Sequence, residues 1–309
     1  MSSADRMVAV VGPTASGKSS LSVQIASAFD AGEVINADSM QLYRGMDIGT
    51  AKPTEAERHG IVHHLFDVLD VTETASVADF QRWAREAIND CASRGTTPVM
   101  VGGSSLYVRA VVDRLDFPGT DPAVRQRWAT ELATRGAEAM HAELAARDPA
   151  AAAQILPTND RRIVRALEVI ELTGQPFTAT MPGHDSIYDG LVMLGLDVPR
   201  DVLDARLTAR VDQMWADGFV DEVRSLLPHG IEDSLTASRA IGYQQILAMF
   251  RGELSEDEAR EATVTATRKF ARRQDRLFHK DPRVHWLPYD ADDLIDRALA
   301  IVSGHGGTQ

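Results

Sequence analysis

The feature that most constrains this chain is a glycine-rich loop at residues 12–19, with the sequence GPTASGKS. The loop fits the pattern GxxxxGK[ST] at every fixed position. It follows a short, uniformly apolar segment at residues 7–11, which is typical of a strand buried on both faces of a parallel sheet. Apolar residues at helical spacing, Leu21, Ile25 and Phe29, come directly after it. A strand, this loop and a helix in that order predict a phosphate-binding loop.

The loop predicts a polyphosphate or diphosphate ligand, but it does not identify the reaction. Backbone N–H groups at the start of a helix favour anions, and Lys18 adds a positive charge. The Ser19 hydroxyl is a candidate ligand for Mg²⁺, the cofactor that the sequence predicts. The predicted diphosphate-binding residues are Gly12, Pro13, Thr14, Ala15, Ser16, Gly17, Lys18 and Ser19.

Strand and helix patterns alternate through the first third of the chain. Further strands are predicted at residues 33–37 and 98–101, separated by an amphipathic helix at residues 77–91. Residues 115–173 are rich in Ala, Arg and Glu without a convincing strand, and a strand returns at residues 191–196. We therefore expect an α/β protein with a P-loop NTPase-like parallel sheet flanked by helices. Its core is predicted at residues 1–114 and 191–309, with a small helical insertion at residues 115–190.

Composition excludes several classes of protein. The 309 residues are 44% hydrophobic and 25% charged, as in an ordinary globular protein, and no apolar run approaches the roughly 18 residues that span a membrane. The polar N-terminus does not resemble a secretory signal, and Cys91 is the only cysteine, so we expect a cytoplasmic protein without disulfides. Nothing in the sequence requires more than a monomer. A net charge of −13 argues against non-specific coating of nucleic acid but leaves room for a local basic groove.

Polar residues follow the second and third predicted strands. Asp38 follows the second, where ligands of open parallel sheets bind, and its carboxylate can bind metal, accept a proton or simply cap a helix. Gly102, Gly103 and Ser104 follow the third strand, where glycines allow close approach and Ser104 offers a hydroxyl or a helix cap. A loop at residues 46–53, MDIGTAKP, has a glycine and a lysine that could close over anionic groups.

Two basic clusters stand out on this acidic chain. Arg268, Arg272 and Arg276 recur every four residues and would form one stripe on a helix, and a smaller cluster lies at residues 161–165. Each is either a solvated helical face or a surface that contacts a nucleic-acid phosphate backbone, and the presence of two on an acidic chain favours phosphate contacts. His63 and His64 have no third metal ligand at a useful spacing, which favours a structural or gating role.

Seven segments together resemble the tRNA dimethylallyltransferases, also called tRNA isopentenyl transferases. They cover nearly the whole chain in order, and GMDIGTAKP is far more specific than the phosphate loop. The segments are GPTASGKS, ADSMQLYRGMDIGTAKP, HHLFDV, VGGSSLYVRA, NDRRIVRALEV, SRAIGYQQ and TRKFARRQ.

The resemblance implies transfer of a dimethylallyl group from dimethylallyl diphosphate to the exocyclic amine of an adenosine. That adenosine lies 3′ of the anticodon in tRNAs that read codons beginning with U. Diphosphate is released with the help of Mg²⁺. The resemblance also implies a helical insertion that grips the anticodon stem-loop, and a target base that is flipped out of its stack.

The resemblance implies roles for individual residues as well. Asp38 would be the general base, Lys18 would bind the leaving group, Ser104 replaces a family threonine near the reacting groups, and Arg239 matches an arginine expected near the diphosphate. Gln244 is a departure, since some members carry arginine there. The implied tRNA contacts are Asp38, Ser39, Met40, Gln41, Ser104, Arg125, Arg161, Arg162, Ile163, Val164, Arg165, Arg268, Arg272 and Arg276.

Two other functions compete with this hypothesis. A small-molecule or nucleoside kinase would share the phosphate loop and could use Asp38 as its base, but it would need neither the GMDIGTAKP segment nor the basic C-terminal helix. A nucleic-acid-binding NTPase would need an acidic residue at the end of a typical apolar Walker B strand, which the sequence lacks.

Overall fold

The computed structural model describes residues 6–177 and 183–304. The chain divides into two compact units, one of Met1–Arg114 with Ser186–Gln309 and one of Leu115–Asp185. The first unit resumes at Ser186, earlier than the residue 191 expected from sequence. Ser186 forms an antiparallel bridge with Asp113, and the Ile187 N–H donates to the Val112 carbonyl. These backbone contacts return the chain to the first unit before its next strand begins.

A six-stranded parallel sheet forms the centre of the first unit, in the order β3-β2-β4-β1-β5-β6. Its strands are β1 (Met7–Val11), β2 (Gly32–Asn36), β3 (His63–His64), β4 (Thr97–Gly102), β5 (Leu191–Asp197) and β6 (Val284–Pro288). The sheet confirms the predicted fold class, a parallel sheet flanked by helices. Every residue of β1 is buried, and its alternate side chains enter two different hydrophobic clusters, one on each face. The β1 segment is apolar without alternation because helices cover both faces of the strand.

Nine α-helices of the first unit surround or extend from this sheet in the described residues. They are α1 (Lys18–Ser27), α2 (Glu55–Arg58), α3 (Val77–Ser93), α4 (Ser105–Val112), α9 (Arg200–Ala216), α10 (Phe219–Leu226), α11 (Tyr243–Phe250), α12 (Glu256–Phe278) and α13 (Leu294–Val302), with a short 3₁₀ turn at Ala237–Arg239. Local sequence determines where several of these helices begin. Ser76 and Asp79 form a capping box at the start of α3, and Ser255 and Glu258 form another at α12.

The elements that were not predicted from sequence include β3, β6 and α13. β3 has only two residues, too few for any periodicity to show. β6 is an edge strand in which Val284 and Leu287 are buried while His285 is exposed, so its pattern is not the continuous apolar run of the central strands. Short edge elements are defined by their neighbours in space, which local sequence does not specify.

The second unit is helical throughout its described residues. Its helices are α5 (Pro122–Arg135), α6 (Ala137–Arg147), α7 (Pro149–Ala152) and α8 (Asp160–Thr173). Asp121 and Asp148 cap α5 and α7 ahead of their prolines, as the sequence predicted. Trp128, Met140 and Leu167 are among the residues of its own hydrophobic core.

No helix in the described parts of the chain combines the length and hydropathy required to cross a membrane.

Candidate active site

The phosphate loop, residues 12–19, connects β1 to α1. Its backbone has positive φ angles at Gly12 (138°), Ala15 (65°) and Gly17 (102°). Glycine adopts such angles without steric cost, whereas Ala15 needs surrounding structure to hold it there. A loop that turns in this way at a helix N-terminus directs backbone N–H groups into one concavity, which is an anion-binding arrangement.

Side chains of the loop are poised for a ligand. Ser16 is 1% exposed, and its hydroxyl has no hydrogen-bond partner within the described residues. The Lys18 ammonium donates to the Pro13 carbonyl at 3.2 Å. Ser19 is exposed at the first turn of α1 and lines a cavity. A buried hydroxyl without a partner is costly, and a bound phosphate would satisfy it.

Asp38 lies just beyond β2 in a hydrogen-bonded turn. Its backbone N–H donates to Asn36 Oδ1 at 2.9 Å, and its carboxylate Oδ1 accepts from the Met40 N–H at 2.9 Å. The Asn36 amide also donates to the Asp38 carbonyl and to the Leu65 carbonyl, both at 3.0 Å. No helix begins here, so the helix-cap interpretation of Asp38 is wrong. Asn36 instead fixes the backbone of Asp38, and the Met40 N–H fixes the carboxylate.

A cavity of about 660 Å³ lies at the carboxyl ends of β1, β2 and β4, where ligands of open parallel sheets bind. Five of the predicted site residues line it: Thr14, Lys18, Ser19, Asp38 and Gln41. Further lining residues are Val23, Asn36, Asp47, Ile48, Thr50, Lys52, Val101, Gly102, Arg210, Gln213, Met214 and Asp217. Charged groups and apolar side chains thus share one concave surface, as a ligand with a charged head and an apolar tail would require.

Burial and mutual charge shift the titration of two groups in this cavity. Burial, together with the positive charge of Arg210, lowers the pKa of Lys18 to about 8, while Asp38 partly opposes the change. Burial raises the pKa of Asp38 above 3.8, opposed by backbone hydrogen bonds and by Lys18. A carboxylate with a raised pKa is a better proton acceptor, as a general base requires.

The residues that follow β4, Gly102 to Ser104, approach neighbouring segments closely. A Cβ on Gly102 would lie 2.6 Å from Ala37, and one on Gly103 would lie 2.2 Å from the Gln274 amide, so neither position has room for a side chain. Ser104 is the N-cap residue of α4, but its side chain makes no capping hydrogen bond. Gly102 lines the cavity and Ser104 does not, so the role of the Ser104 hydroxyl stays a prediction.

Buried contacts with neighbouring side chains hold the loop at residues 46–53 in place. This corrects the expectation that its glycine and lysine close over anions. The Lys52 ammonium is 3% exposed and pairs with Asp47 at 2.5 Å and Asp67 at 2.6 Å. The Glu222 carboxylate accepts from the backbone N–H groups of residues 47, 48 and 49 at 2.6–3.1 Å. Gly49 packs where a Cβ would lie 2.1 Å from Phe219. The charge of Lys52 is therefore neutralised by Asp47 and Asp67. The GMDIGTAKP segment forms a fixed side of the cavity.

Sequence reasoning missed two residues at the loop. Arg210 on α9 donates from Nη1 to the Thr14 hydroxyl at 3.3 Å and lines the cavity. Gln274 on α12 accepts a hydrogen bond from the Thr14 N–H at 2.9 Å. Gln274 is the last residue of the TRKFARRQ segment, which was interpreted only through its basic residues. Arg210 had no sequence signal beyond its charge.

The basic stripe of α12 is only partly available to RNA. Arg268 is half-buried and donates to the Thr208 hydroxyl at 2.7 Å, so it secures α12 to α9, and its contact with RNA stays a prediction. Arg272 is exposed and pairs with Asp204 at 2.7 Å. Arg276 is exposed. Arg272 and Arg276 remain predicted phosphate contacts.

In the second unit, a buried glutamate holds two of the predicted RNA-binding arginines. Glu168 is fully buried and accepts from both Arg125 and Arg165 at 2.9 Å. Arg165 also donates to the Pro118 carbonyl at 2.6 Å. A buried carboxylate needs such partners, so both arginines have a structural task whether or not RNA also contacts them.

Two aliphatic residues of α8 do not fit the predicted RNA contacts. Ile163 is fully buried and Val164 is 7% exposed, and both belong to the core of the second unit. Their side chains are packing residues, and this corrects their assignment. Arg161 and Arg162, just before them, are exposed and stay predicted contacts.

The remaining predicted contacts differ in exposure. Ser39 and Met40 are half-buried beside Asp38. Gln41 donates to the Thr50 and Ala51 carbonyls, at 3.1 and 3.2 Å.

Arg239 ends the 3₁₀ turn and is exposed, outside the residues that line the cavity. Its contact with diphosphate stays a prediction.

His64 belongs to a buried polar cluster that sequence spacing could not show. Its Nε2 lies 2.6 Å from Glu33 Oε2, and the Cys91 thiol donates to the same oxygen at 3.4 Å. Arg94 binds both Glu33 carboxylate oxygens, at 2.6 and 2.8 Å. Three of these side chains have the spacing of metal ligands, but the arginine already neutralises the carboxylate, so the contacts are those of an ion-pair network.

Comparison with known proteins gives one consistent match. The sequence profile of a family described as IPP transferase matches residues 41–281. A tRNA dimethylallyltransferase from Thermobifida fusca is 61% identical over 303 residues, covering 97% of this chain and 95% of that protein. The crystal structure of the full-length tRNA isopentenylpyrophosphate transferase from Bacillus halodurans has a TM-score of 0.73 and 41% identity, covering 97% of this chain and 96% of that one. A eukaryotic dimethylallyltransferase acting on tRNA has a TM-score of 0.83 and 25% identity, covering 99% of this chain and 81% of that one.

Proposed function

The chain belongs to the IPP transferase family, the tRNA dimethylallyltransferases, and from this premise we propose how its cavity carries out the reaction. The enzyme transfers a dimethylallyl group to tRNA. We propose that the donor is dimethylallyl diphosphate and the acceptor is the exocyclic amine of the adenosine 3′ of the anticodon. The tRNAs concerned read codons that begin with U.

The phosphate loop holds the leaving group of the donor. The C–O bond to the allylic carbon breaks, and its electron pair departs with the diphosphate, so negative charge grows there. The loop N–H groups and Lys18 are fixed in place before this charge develops, which is the arrangement that lowers a barrier most effectively. The phosphate loop thus stabilises a leaving group, and no phosphoryl group is transferred.

A divalent cation fits this loop. Mg²⁺ is commonly held by phosphate oxygens, water and few protein ligands, and Ser19 is exposed at the first turn of α1 beside the loop. We propose Mg²⁺ with Ser19 as its protein ligand; when bound, it neutralises charge on the diphosphate.

Asp38 activates the acceptor. The lone pair of an adenine amine is delocalised into the ring, so the amine is a weak nucleophile. As the new C–N bond forms, the nitrogen becomes acidic, and Asp38 accepts the proton. The Met40 N–H holds the carboxylate, and Asn36 holds the backbone of Asp38. The adenine must leave its stack to reach Asp38, so the reaction needs a flipped base.

Exposed cations supply the RNA-binding surface in this proposal. Arg272 and Arg276 on α12, and Arg161 and Arg162 on α8, can neutralise backbone phosphates and set the orientation of the anticodon stem-loop. The cavity is built within the first unit of a single chain, so a monomer acting on cytoplasmic tRNA is the proposed working form.

One observation supports this proposal most strongly: Lys18, the proposed ligand of the diphosphate, and Asp38, the proposed base, line the same cavity. Incubation with dimethylallyl diphosphate, Mg²⁺ and tRNA, followed by mass spectrometry of the anticodon loop, tests it. We expect a mass gain of one dimethylallyl group on the adenosine 3′ of the anticodon. Transfer of the ATP γ-phosphate to a small molecule, with no prenylated tRNA, would overturn it.

A further inference from the structure

Glu222, near the start of α10, holds the loop at residues 46–53 through its carboxylate. Oε2 accepts from the backbone N–H groups of residues 47 and 48 at 2.9 and 2.6 Å, and Oε1 accepts from that of residue 49 at 3.1 Å. The Tyr243 hydroxyl donates to the same Oε1 at 2.5 Å. Three consecutive N–H groups that converge on one point form an anion-binding concavity, and here the anion is a side chain of the protein itself.

The donors around Glu222 match an ionised carboxylate. A carboxylate offers two acceptor oxygens with about four lone-pair sites, and these three N–H groups and one hydroxyl point at them. Glutamine has the same size but only one acceptor oxygen, and its NH₂ group would face at least one of the three N–H groups. A buried donor that faces another donor loses its acceptor, which is costly. The charge of Glu222 therefore keeps the loop in this shape.

Two buried aromatic rings set the distance between Glu222 and the loop. A Cβ on Gly49 would lie 2.1 Å from the Phe219 ring and 2.6 Å from the Tyr243 ring. The two rings meet edge to face with their centroids 4.9 Å apart, and both side chains are fully buried. Phe219 begins α10, three residues before Glu222, and Tyr243 begins α11. The same packing thus places the carboxylate and the hydroxyl against the loop backbone.

The loop that Glu222 holds also orients Gln41. The Gln41 side-chain N–H₂ group donates to the carbonyls of residues 50 and 51, at 3.1 and 3.2 Å. Gln41 follows Asp38 by three residues, and both line the cavity. A shift of the loop would therefore shift the Gln41 amide beside the proposed general base. Glu222 itself does not line the cavity, so any effect on the reaction passes through the loop.

We propose that Glu222 is a positioning residue for the acceptor. It fixes the loop that orients Gln41, and so determines where the flipped adenine lies relative to Asp38. The inference rests on the proposed function. Glu222 stays ionised and exchanges no proton during the reaction. The diphosphate binds at the phosphate loop, to which Glu222 makes no hydrogen bond within residues 6–177 and 183–304, so the acceptor should respond to changes at Glu222 and the diphosphate should not.

Steady-state kinetics of the full-length chain with dimethylallyl diphosphate, Mg²⁺ and an anticodon stem-loop tests this assignment. Glu222→Gln should lower kcat/KM for the stem-loop about 10- to 100-fold, the effect of a small misplacement of a reacting group. Its calorimetric affinity for inorganic pyrophosphate with Mg²⁺ should match wild type. Glu222→Asp keeps the charge on a shorter side chain and should fall between Gln and wild type. The matched control is Asp221→Asn, the preceding residue of α10, whose side chain is 80% exposed; it should behave like wild type.

A second measurement distinguishes positioning from a role in folding alone. If Glu222 acts through Gln41, Glu222→Gln should have little further effect on kcat/KM once Gln41→Ala is present, because residues that act through one contact are not additive. Independent, additive effects of the two substitutions would overturn the assignment. A lower thermal unfolding midpoint for Glu222→Gln with an unchanged kcat/KM would show a structural role only, and would overturn it as well.

The outcomes separate this inference from the proposed function. If wild type and Asp221→Asn do not prenylate the stem-loop, the proposed function fails and the inference fails with it. If wild type and Glu222→Gln prenylate it equally well, only the assignment of Glu222 fails. Equal losses of stem-loop kcat/KM and of pyrophosphate affinity would mean that Glu222 supports the whole cavity, and the assignment is again overturned. Should Glu222→Gln not fold, Glu222→Asp decides: a reduced stem-loop kcat/KM with normal pyrophosphate affinity supports the assignment, and wild-type kinetics overturn it.

Discussion

The Gln274 side-chain carbonyl accepts a hydrogen bond of 2.9 Å from the Thr14 backbone N–H, and so joins α12 to the phosphate loop. Gln274 is 5% exposed, and its amide packs against Gly103, directly after β4. The helix that carries the exposed Arg272 and Arg276 therefore also fixes one N–H group of the anion cradle. The proposed RNA-binding and diphosphate-binding surfaces therefore share one helix, α12.

Gln274→Ala should raise the KM for dimethylallyl diphosphate about 2- to 10-fold, the range expected for one net hydrogen bond. Without its acceptor, the Thr14 N–H loses a fixed direction and the loop becomes less well ordered. Steady-state kinetics with an anticodon stem-loop would measure the change. The control is Arg273→Ala, an exposed neighbour on the same helix. Equal KM values for the two variants would mean that the hydrogen bond does not order the loop.

Asp38→Ala should lower the single-turnover rate by roughly 10²–10⁴-fold, the usual contribution of a general base. Binding of tRNA should remain largely intact, because phosphate contacts supply most of the affinity. Asp70→Ala removes an exposed carboxylate that pairs with Arg44, and serves as the control. Full activity of the Asp38 variant would remove this residue from the mechanism.

Pyrophosphate affinity should fall as the pH rises above about 8, because Lys18 loses its proton there when the cavity is empty. The negative charge of Asp38 raises the pKa of Lys18. Asp38→Asn should therefore shift this loss of affinity to lower pH. Pyrophosphate itself titrates, so the measurement is the difference between the two proteins in calorimetric titrations from pH 6 to 10. Superimposable pH profiles would contradict the coupling between the two residues.

Local sequence was sufficient for the phosphate loop and the central strands, because their signals lie within a few adjacent residues. The contacts that complete the cavity come from far away in the chain. Gln274 lies 260 residues from Thr14, and Arg210 lies 196 residues from it. Such contacts depend on how α9 and α12 pack, and a single sequence carries no periodic signal for that.

The errors at α8 have a different origin. Ile163 and Leu167 recur with helical spacing, a pattern that indicates a buried face, and both are buried. The family resemblance nevertheless placed Ile163 among RNA contacts, because its segment also carries arginines. Arg268 shows the same difficulty on α12: its spacing matches Arg272 and Arg276, but its side chain bonds Thr208. Periodicity identifies a face of a helix, and only packing shows which end of that face meets another helix.

Glu33 should make stability depend on pH in acid. Hydrogen bonds from Arg94, followed by His64 and Cys91, lower the pKa of Glu33 to about 2 from 4.5. A carboxyl group with a lowered folded-state pKa contributes stability that is fully present above pH 4.5 and is lost as the pH falls towards 2. The full contribution is about 3 kcal/mol.

Glu33→Gln should therefore lower the urea midpoint at pH 7 and weaken its dependence on pH between 5 and 3. The control is Glu86→Gln on the exposed face of α3, where the carboxylate lies 3.6 Å from Arg82 and both side chains are more than half exposed. Such pairs contribute little. Parallel pH profiles for wild type and Glu33→Gln would show that another group controls acid unfolding.

The double variant Arg272→Ala with Arg276→Ala should weaken tRNA binding and reduce its salt dependence. Each phosphate contact contributes about 0.7–0.9 to the slope of log affinity against log salt, so losing two should reduce the slope by about 1.5. Pyrophosphate affinity should not change, because neither side chain lines the cavity. Arg297→Ala, an exposed arginine paired with Asp293 on α13, is the control for net charge. A double variant with the slope of this control would mean that the exposed part of α12 is a solvated face, and that RNA phosphates contact other cations.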